Sequence, residues 1–329
     1  MSSTSPFLDP LRAVVAELAD RTGVTVDLPT ALLLRAQLTG LPRPGRTSAG
    51  GSCRLFETRD GWAAVNLARA DDHAALPALL GLLTAGDKDL ARGARLTTAA
   101  RLAAAAQAVG IPAAALGGER SRRAPVVARA HGPRRPRPLD GLRVLDLSSL
   151  WAGPLCARVL GLAGARVTKV ESTTRPDGAR RGNPEFYAWL HGGQESLVLD
   201  FSTGALRAAV DRADVVIEAS RPRALRRLGV VAEDFLAARP GRVWVGITGY
   251  GRDDDRIAFG DDAAVAGGLV GRDSSGDPVF LADALADPVT GLYAAHAAVR
   301  SLAAGGGELL CVSMAACAAA LADAGPAPC

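Results

Sequence analysis

The sequence predicts an α/β protein: an open parallel, Rossmann-like sheet with crossover helices, preceded by a smaller α+β domain. After residue 138, short β-branched runs alternate with Ala/Leu-rich stretches of helical length, the pattern of a parallel sheet. Before residue 120, a hairpin pattern is embedded among helical ones. Between them, residues 121–138 carry seven basic or imidazole residues, four prolines and almost no large apolar side chain. That is the composition of an extended, solvated tether. The expected organisation is a small α+β domain over 1–120, a linker over 121–138 and an α/β domain over 139–329. A chain of 329 residues has room for about two domains.

The elements follow in order. Residues 10–23 place Leu11, Val14, Val15 and Leu18 at helical spacing, and a second apolar run covers 31–38. Residues 54–67 read as two strands around an Asp60-Gly61 turn, a dipeptide favoured in tight hairpins. Helical patterns follow over 71–83, 90–95 and 97–109, the last ended by Gly110-Ile111-Pro112. Beyond the linker the candidate strands are 143–147, 166–170, 196–199, 215–218 and 243–247. Residues 153–164 form a helix with Pro154 in its first turn. Right-handed crossovers then make an open parallel sheet.

Composition excludes several classes. The 38 Lys+Arg against 34 Asp+Glu leave a net charge of +4, too small a surplus for a nucleic-acid-binding protein but suited to an anionic small ligand. All but two of those basic residues, Lys88 and Lys169, are arginine. Cys53, Cys156, Cys311, Cys317 and Cys329 contain no C-x-x-C pair, which points away from a disulfide framework and toward a reducing cytoplasm. The first ten residues lack the basic and apolar regions of a secretory leader, and no uncharged apolar run reaches about 18 residues. No membrane partner is expected.

Nucleotide and metal motifs are lacking. The loop after the first strand of the α/β half, 148–154, has the single glycine Gly153 followed by proline, so the dinucleotide fingerprint is absent. No Walker A, H-E-x-x-H or G-x-S-x-G sequence occurs. His73, His131, His191 and His296 have no metal-ligand spacing. The acidic clusters 253–255 and 261–262 read as solvated loops.

Residues 139–171, "LDGLRVLDLSSLWAGPLCARVLGLAGARVTKVE", resemble the opening of the family III CoA-transferases, also called the CaiB/BaiF family. The likeness continues in order through "SLVLDF" (196–201), "ADVVIEASRPRALRRLG" (213–229), "ITGYG" (247–251) and "ADPVTGLYAAHAAVRSL" (286–302). Earlier in the chain, "CRLFETRDGWAAVNLAR" (53–69) and "AQAVGIPAAAL" (106–116) resemble the small domain that in ordinary members follows the large one. The resemblance thus implies a member with its small domain placed first.

What the resemblance implies is CoA transfer between an acyl-CoA and a carboxylic acid, with coenzyme A as substrate and no tightly bound cofactor. Ordinary members are interlocked homodimers; a homodimer is expected here too. The nucleophile falls on Asp287, ahead of Thr290 and Gly291, where a helix N-terminus would keep it ionised. Taken alone, Asp287 would be only a helix cap. CoA contacts fall on Leu150, Trp151 and Ala152 in the first loop and on Arg227 and Leu228, with Arg227 the phosphate partner. Three family contacts are altered, to Ser172, Gln194 and Ala219. Arg175, Arg180 and Arg181 stand nearby as substitutes, although each alone reads as a surface arginine. A glycine loop that covers the intermediate falls on Gly50 and Gly51. A racemase relative would need a histidine near 259–265, where this chain has Asp261. Racemisation and non-catalytic CoA binding are the alternatives to transfer.

Overall fold

The structure is a computed structural model that describes residues 6–83, 89–120 and 124–325. The first part of the chain forms α1 (Asp9–Thr22), α2 (Leu28–Thr39), β1 (Cys53–Thr58), β2 (Gly61–Asn66), α3 (Ala70–Leu83), α4 (Leu90–Arg95), α5 (Ala99–Ala108) and β3 (Ala113–Ala115). Next come β4 (Val126–Ala130), β5 (Arg143–Asp146), α6 (Ala152–Leu162), β6 (Arg166–Ser172), α7 (Pro184–His191), β7 (Glu195–Leu199), α8 (Ala205–Arg212) and β8 (Val215–Glu218). The remainder is α9 (Pro222–Arg227), α10 (Ala232–Ala238), β9 (Val243–Thr248), α11 (Gly260–Ala266), the short pair β10 (Gly271–Arg272) and β11 (Pro278–Val279), α12 (Ala286–Ala303), β12 (Glu308–Ser313) and α13 (Met314–Ala322).

Among the described residues, seven strands form the main sheet in the order β4-β12-β9-β8-β5-β6-β7. All pair in parallel except β4, which runs antiparallel along β12. The five strands read from the sequence are present. Two more are added. The stretch read as a tether supplies β4, an edge strand whose backbone is extended as expected but hydrogen-bonded to the sheet. β12 lies between β4 and β9 and passes directly into α13, where the Ser313 hydroxyl accepts from the Ala316 N–H.

Burial divides the first 120 residues differently from the sequence reading. Phe7, Leu11, Val14, Leu18, Ala31 and Leu32 join the core formed by α6, α12 and the sheet. The apolar stripe of α1 is therefore covered by the α/β half. Asp27 caps α2, its carboxylate accepting from the Thr30 N–H at 2.9 Å. What remains of the small domain is the β1-β2-β3 sheet with α3, α4 and α5, packed around Phe56, Val65, Leu79, Leu102 and Ile111.

Because successive side chains of a strand point to opposite faces, the hairpin has two cores. Phe56, Ala63 and Val65 face the small-domain helices. Cys53, Leu55 and Ala64 pack on Val265 of α11 and on Phe280. The turn is shifted by one residue from the expected place: Thr58 pairs with Gly61, so Arg59 and Asp60 form the loop. The Asp60 carboxylate holds it there by accepting from Thr58 Oγ1 and from the Ala99 N–H at the start of α5. Among the described residues, no helix is long and apolar enough to cross a membrane.

Candidate active site

The loops after β5, β6 and β8 leave neighbouring parallel strands at their carboxyl ends, where open α/β sheets bind ligands. A buried polar network fixes the first two. Lys169 donates to the Ser148 carbonyl and forms ion pairs with Asp177, 2.9 Å from its Oδ2, and with Asp146, 3.7 Å from its Oδ2. Asp177 in turn accepts from the Leu150 and Ala179 N–H groups. The result holds Leu150 at φ 71, in the left-handed region. Gly153 is required by the same turn, since a Cβ there would fall 2.0 Å from Ser148 Oγ.

This scaffold distributes the expected CoA contacts unevenly. Leu150 is on the surface, whereas Trp151 and Ala152 are buried. The Trp151 ring packs edge-on against Phe186 at 5.0 Å. Arg227 is exposed in the last turn of α9, with Leu228 beyond it. Arg175 and Arg181 are exposed on the loop after β6. Arg180 is engaged: it forks onto Glu171 and lies over the Tyr187 ring. Burial acts to raise the Glu171 pKa, but hydrogen bonds from Arg180 and the Asp177 N–H overcome it and hold the carboxyl at about 2. Lys169, Arg180, Tyr187, His191 and Gln194 line a cavity of about 310 Å³ beside this loop.

Asp287 occupies the first turn of α12 and is half-buried. Its position relative to the first loop is set by Gly291, one turn later. A Cβ on Gly291 would meet the Ala152 carbonyl at 2.6 Å, so the missing side chain lets α12 approach the start of α6. Gly260, which opens α11, sits equally close: its Cβ position is 2.7 Å from Asp287 Oδ2 and 2.4 Å from the Ala284 carbonyl.

Three more carboxyl groups surround this corner. Asp261 and Asp262, read from the sequence as a solvated loop, are buried at the start of α11. Asp261 accepts from the Ala284 N–H at 2.9 Å, which holds Ala284 at a left-handed φ of 44. Asp262 accepts from Asn66 of the hairpin and from the Phe259 N–H. Asp283 is buried and receives the bidentate fork of Arg35, from α2. Arg35 also lies over the Trp151 ring at 5.0 Å. It thereby ties the N-terminal helices to both the first loop and the acidic corner.

The electrostatics at Asp287 run against the ionising effect expected of a helix N-terminus. Burial pushes its carboxyl up to about 7; Arg35 opposes the rise, while Asp261 and Asp283 add to it. Burial and Asp283 raise Asp261 to about 6, against hydrogen bonds from Ser48 and the Ala284 N–H. Burial likewise takes Asp262 to about 7. Among the described residues, no group of three or more His, Cys, Asp or Glu side chains is placed to hold a metal ion.

The loop that carries Gly50 and Gly51, ahead of β1, approaches this corner. A turn closes from the Ser48 carbonyl to the Gly51 N–H, and a Cβ on Gly50 would stand 3.9 Å from Asp283 Oδ1. Asp287, Arg35 and Gly50 thus come together from three distant parts of the chain. Arg35 was not legible in the sequence: it is the one charged residue of an apolar helix, in a chain with many arginines.

The sequence model of CoA-transferase family III matches residues 139–326. The chain belongs to this family. Among curated relatives, the succinyl-CoA–D-citramalate CoA-transferase of Chloroflexus aurantiacus is 30% identical over 185 residues, covering 51% of this chain and 46% of that protein. The succinate–glutarate CoA-transferase of Agrobacterium fabrum is 30% identical over 192 residues, covering 52% and 48%. A probable fatty acyl-CoA transferase of Mycobacterium tuberculosis is 33% identical over 186 residues, covering 50% and 46%. The crystal structure of a hypothetical protein from the same organism superposes with a TM-score of 0.51 at 29% identity, covering 57% of this chain and 58% of that one. The family III chain described here spans about half the length of the curated relatives it matches. Its family match begins at Leu139, after the small-domain elements and β4.

Proposed function

We propose that the protein transfers coenzyme A between an acyl-CoA and a carboxylic acid, with Asp287 as the nucleophile. The observation that carries this is the half-buried Asp287 carboxyl at the start of α12, packed against Gly260 and close to Arg35. In its ionised form Asp287 attacks the thioester carbonyl; the C–S bond breaks, CoA leaves as thiolate and a mixed anhydride forms. The thiolate then attacks the aspartyl carbonyl and releases the donor acid as a carboxylate. The acceptor carboxylate reverses both steps, so no proton is consumed over the cycle.

The nucleotide end of CoA is assigned to the carboxyl edge of β6, β5 and β8. Arg227, Arg175 and Arg181 are exposed there, and the cavity beside Arg180 adjoins them in the sheet order. The small domain is read as the family's second domain placed first, its glycine loop shielding the intermediate from water. A homodimer in the reducing cytoplasm is the proposed setting.

Incubation with a panel of acyl-CoAs followed by peptide mass spectrometry tests the nucleophile. An acyl or CoA adduct on the peptide containing Asp287, lost to hydroxylamine, is expected. Exchange of CoA without that adduct overturns the assignment.

Arg227→Ala tests the nucleotide end separately. It should raise the Michaelis constant for acyl-CoA by roughly tenfold, the weight of one charge-assisted contact, with turnover nearly unchanged. A truncated pantetheine thioester should be indifferent to the substitution. Equal sensitivity of both substrates places Arg227 outside the nucleotide site.

A further inference from the structure

We propose that Arg35 recognises the carboxylate of the acceptor acid and presents it to the Asp287 thioester. The inference rests on the aspartyl-thioester reading above and adds a residue from the N-terminal helices, outside the segment that matches the family.

The geometry of one side chain carries it. Arg35 spends Nε and Nη2 on the two oxygens of Asp283. Among the described residues its Nη1 takes no hydrogen-bond partner. The side chain remains 31% exposed, against 1% for Asp283. The Trp151 ring beneath it, at 5.0 Å, and the Asp283 fork hold the guanidinium plane in place. A fixed guanidinium with one edge anchored and another open is a carboxylate receptor, because two parallel N–H groups match two carboxylate oxygens.

The charge balance changes over the cycle in the direction this role needs. When Asp287 is ionised, as attack requires, it acts on Arg35 electrostatically together with Asp283 and Asp261. An anionic acid would be repelled by that corner. Once Asp287 is esterified to CoA it carries no charge, so Arg35 loses one of its anions at the stage when the acceptor must enter. The acceptor carboxylate then replaces the lost charge. Its oxygen attacks the aspartyl carbonyl carbon, the C–O bond forms, the C–S bond breaks and CoA departs as thiolate with the electron pair. The anhydride that results is neutral, which frees Arg35 from the acid it had held.

A lysine would keep the charge but not the fork. It has a single ammonium, and holding Asp283 would occupy it. Arg35→Lys and Arg35→Gln therefore separate charge from geometry.

The test uses self-exchange on the full chain: succinyl-CoA with carbon-13-labelled succinate, or whichever acyl-CoA of the panel gives the Asp287 adduct with its own labelled acid. Reversibility makes every donor acid an acceptor. Arg35→Gln is expected to raise the Michaelis constant for the labelled acid tenfold or more, while that for the acyl-CoA stays within about threefold. Arg35→Lys should fall between it and the wild type. An unchanged acid constant, or equal rises in both constants, overturns the proposal. If Arg35→Gln no longer forms the adduct, Arg35→Lys decides: a selective rise in the acid constant supports the role, and none refutes it. Absence of the adduct in the wild type refutes the Asp287 reading, and this inference with it; an adduct with no split in the Michaelis constants refutes the Arg35 role alone.

Discussion

Asp287→Asn should abolish transfer, lowering turnover by at least about a thousandfold, while acyl-CoA still binds within a few-fold of wild type. The amide has nearly the shape of the carboxyl and fits the same space against Gly260, but it cannot supply a nucleophilic oxygen anion. The nucleotide is assigned to loops on the sheet edge, so its contacts survive. Isotope exchange measures the first effect and calorimetric titration of CoA the second. A variant with wild-type turnover sinks the assignment.

Titration of the same carboxyl predicts two pH profiles. Attack requires the ionised form, and burial places the pKa at about 7. The kcat/KM of the wild type should therefore rise with pH up to about 7 and level off above it. Stability runs the other way. A carboxyl whose pKa is 3.8 when unfolded and about 7 when folded binds its proton more tightly in the folded state. Its contribution is complete below the unfolded value and is lost as pH rises through the folded one. Asp287→Asn removes the buried charge, so it should melt higher than wild type at pH 8, with the gap closing toward pH 4. A wild type whose melting temperature rises steadily from pH 4 to pH 8 relative to the variant contradicts the raised pKa.

The parts of the site legible in the sequence were those carried by local pattern. The alternation from Arg143 to Thr248 marks five strands because each is short, carries a β-branched or leucine run and is followed by a helix. β4 escaped because an exposed edge strand needs little burial, and its composition is that of a solvated tether. β12 escaped because it joins α13 without a turn, in an apolar stretch. Asp287 was reachable through the motif around it. Its raised pKa was not, because burial is a property of the whole corner and Asp261 and Asp283 act on it across space. Asp262 reads as a loop residue until Asn66, in a hairpin 196 residues away, is seen donating to it at 2.9 Å. Arg35 lies further still from its partner, 248 residues before Asp283. It is the single charged residue of α2, but nothing local shows which distant group it meets.

Gly260→Ala should lower transfer by at least about a hundredfold, although the substitution adds one methyl group and touches no proposed CoA contact. The added carbon would lie 2.4 Å from the Ala284 carbonyl and 2.7 Å from Asp287 Oδ2, both well inside van der Waals contact. The carbonyl is backbone and cannot rotate away. Ala284 is already at a left-handed φ of 44, held by the Asp261 carboxylate on its N–H, and its carbonyl accepts from the Asp287 N–H. Relief therefore requires the start of α12 to move as a unit, carrying Asp287 with it. A shift of about 1 Å at a reacting group is enough for a loss of that size, and overpacking of this kind costs about 1–3 kcal/mol of stability. Gly204→Ala is the control. Its Cβ would meet nothing within 4 Å, at an ordinary φ of -70 ahead of α8, so turnover should stay within a few-fold of wild type. Turnover and thermal melts of the two variants side by side decide the matter. If Gly260→Ala is as active as Gly204→Ala, then Asp287 does not need its present seat, and the nucleophile must be sought elsewhere in the corner.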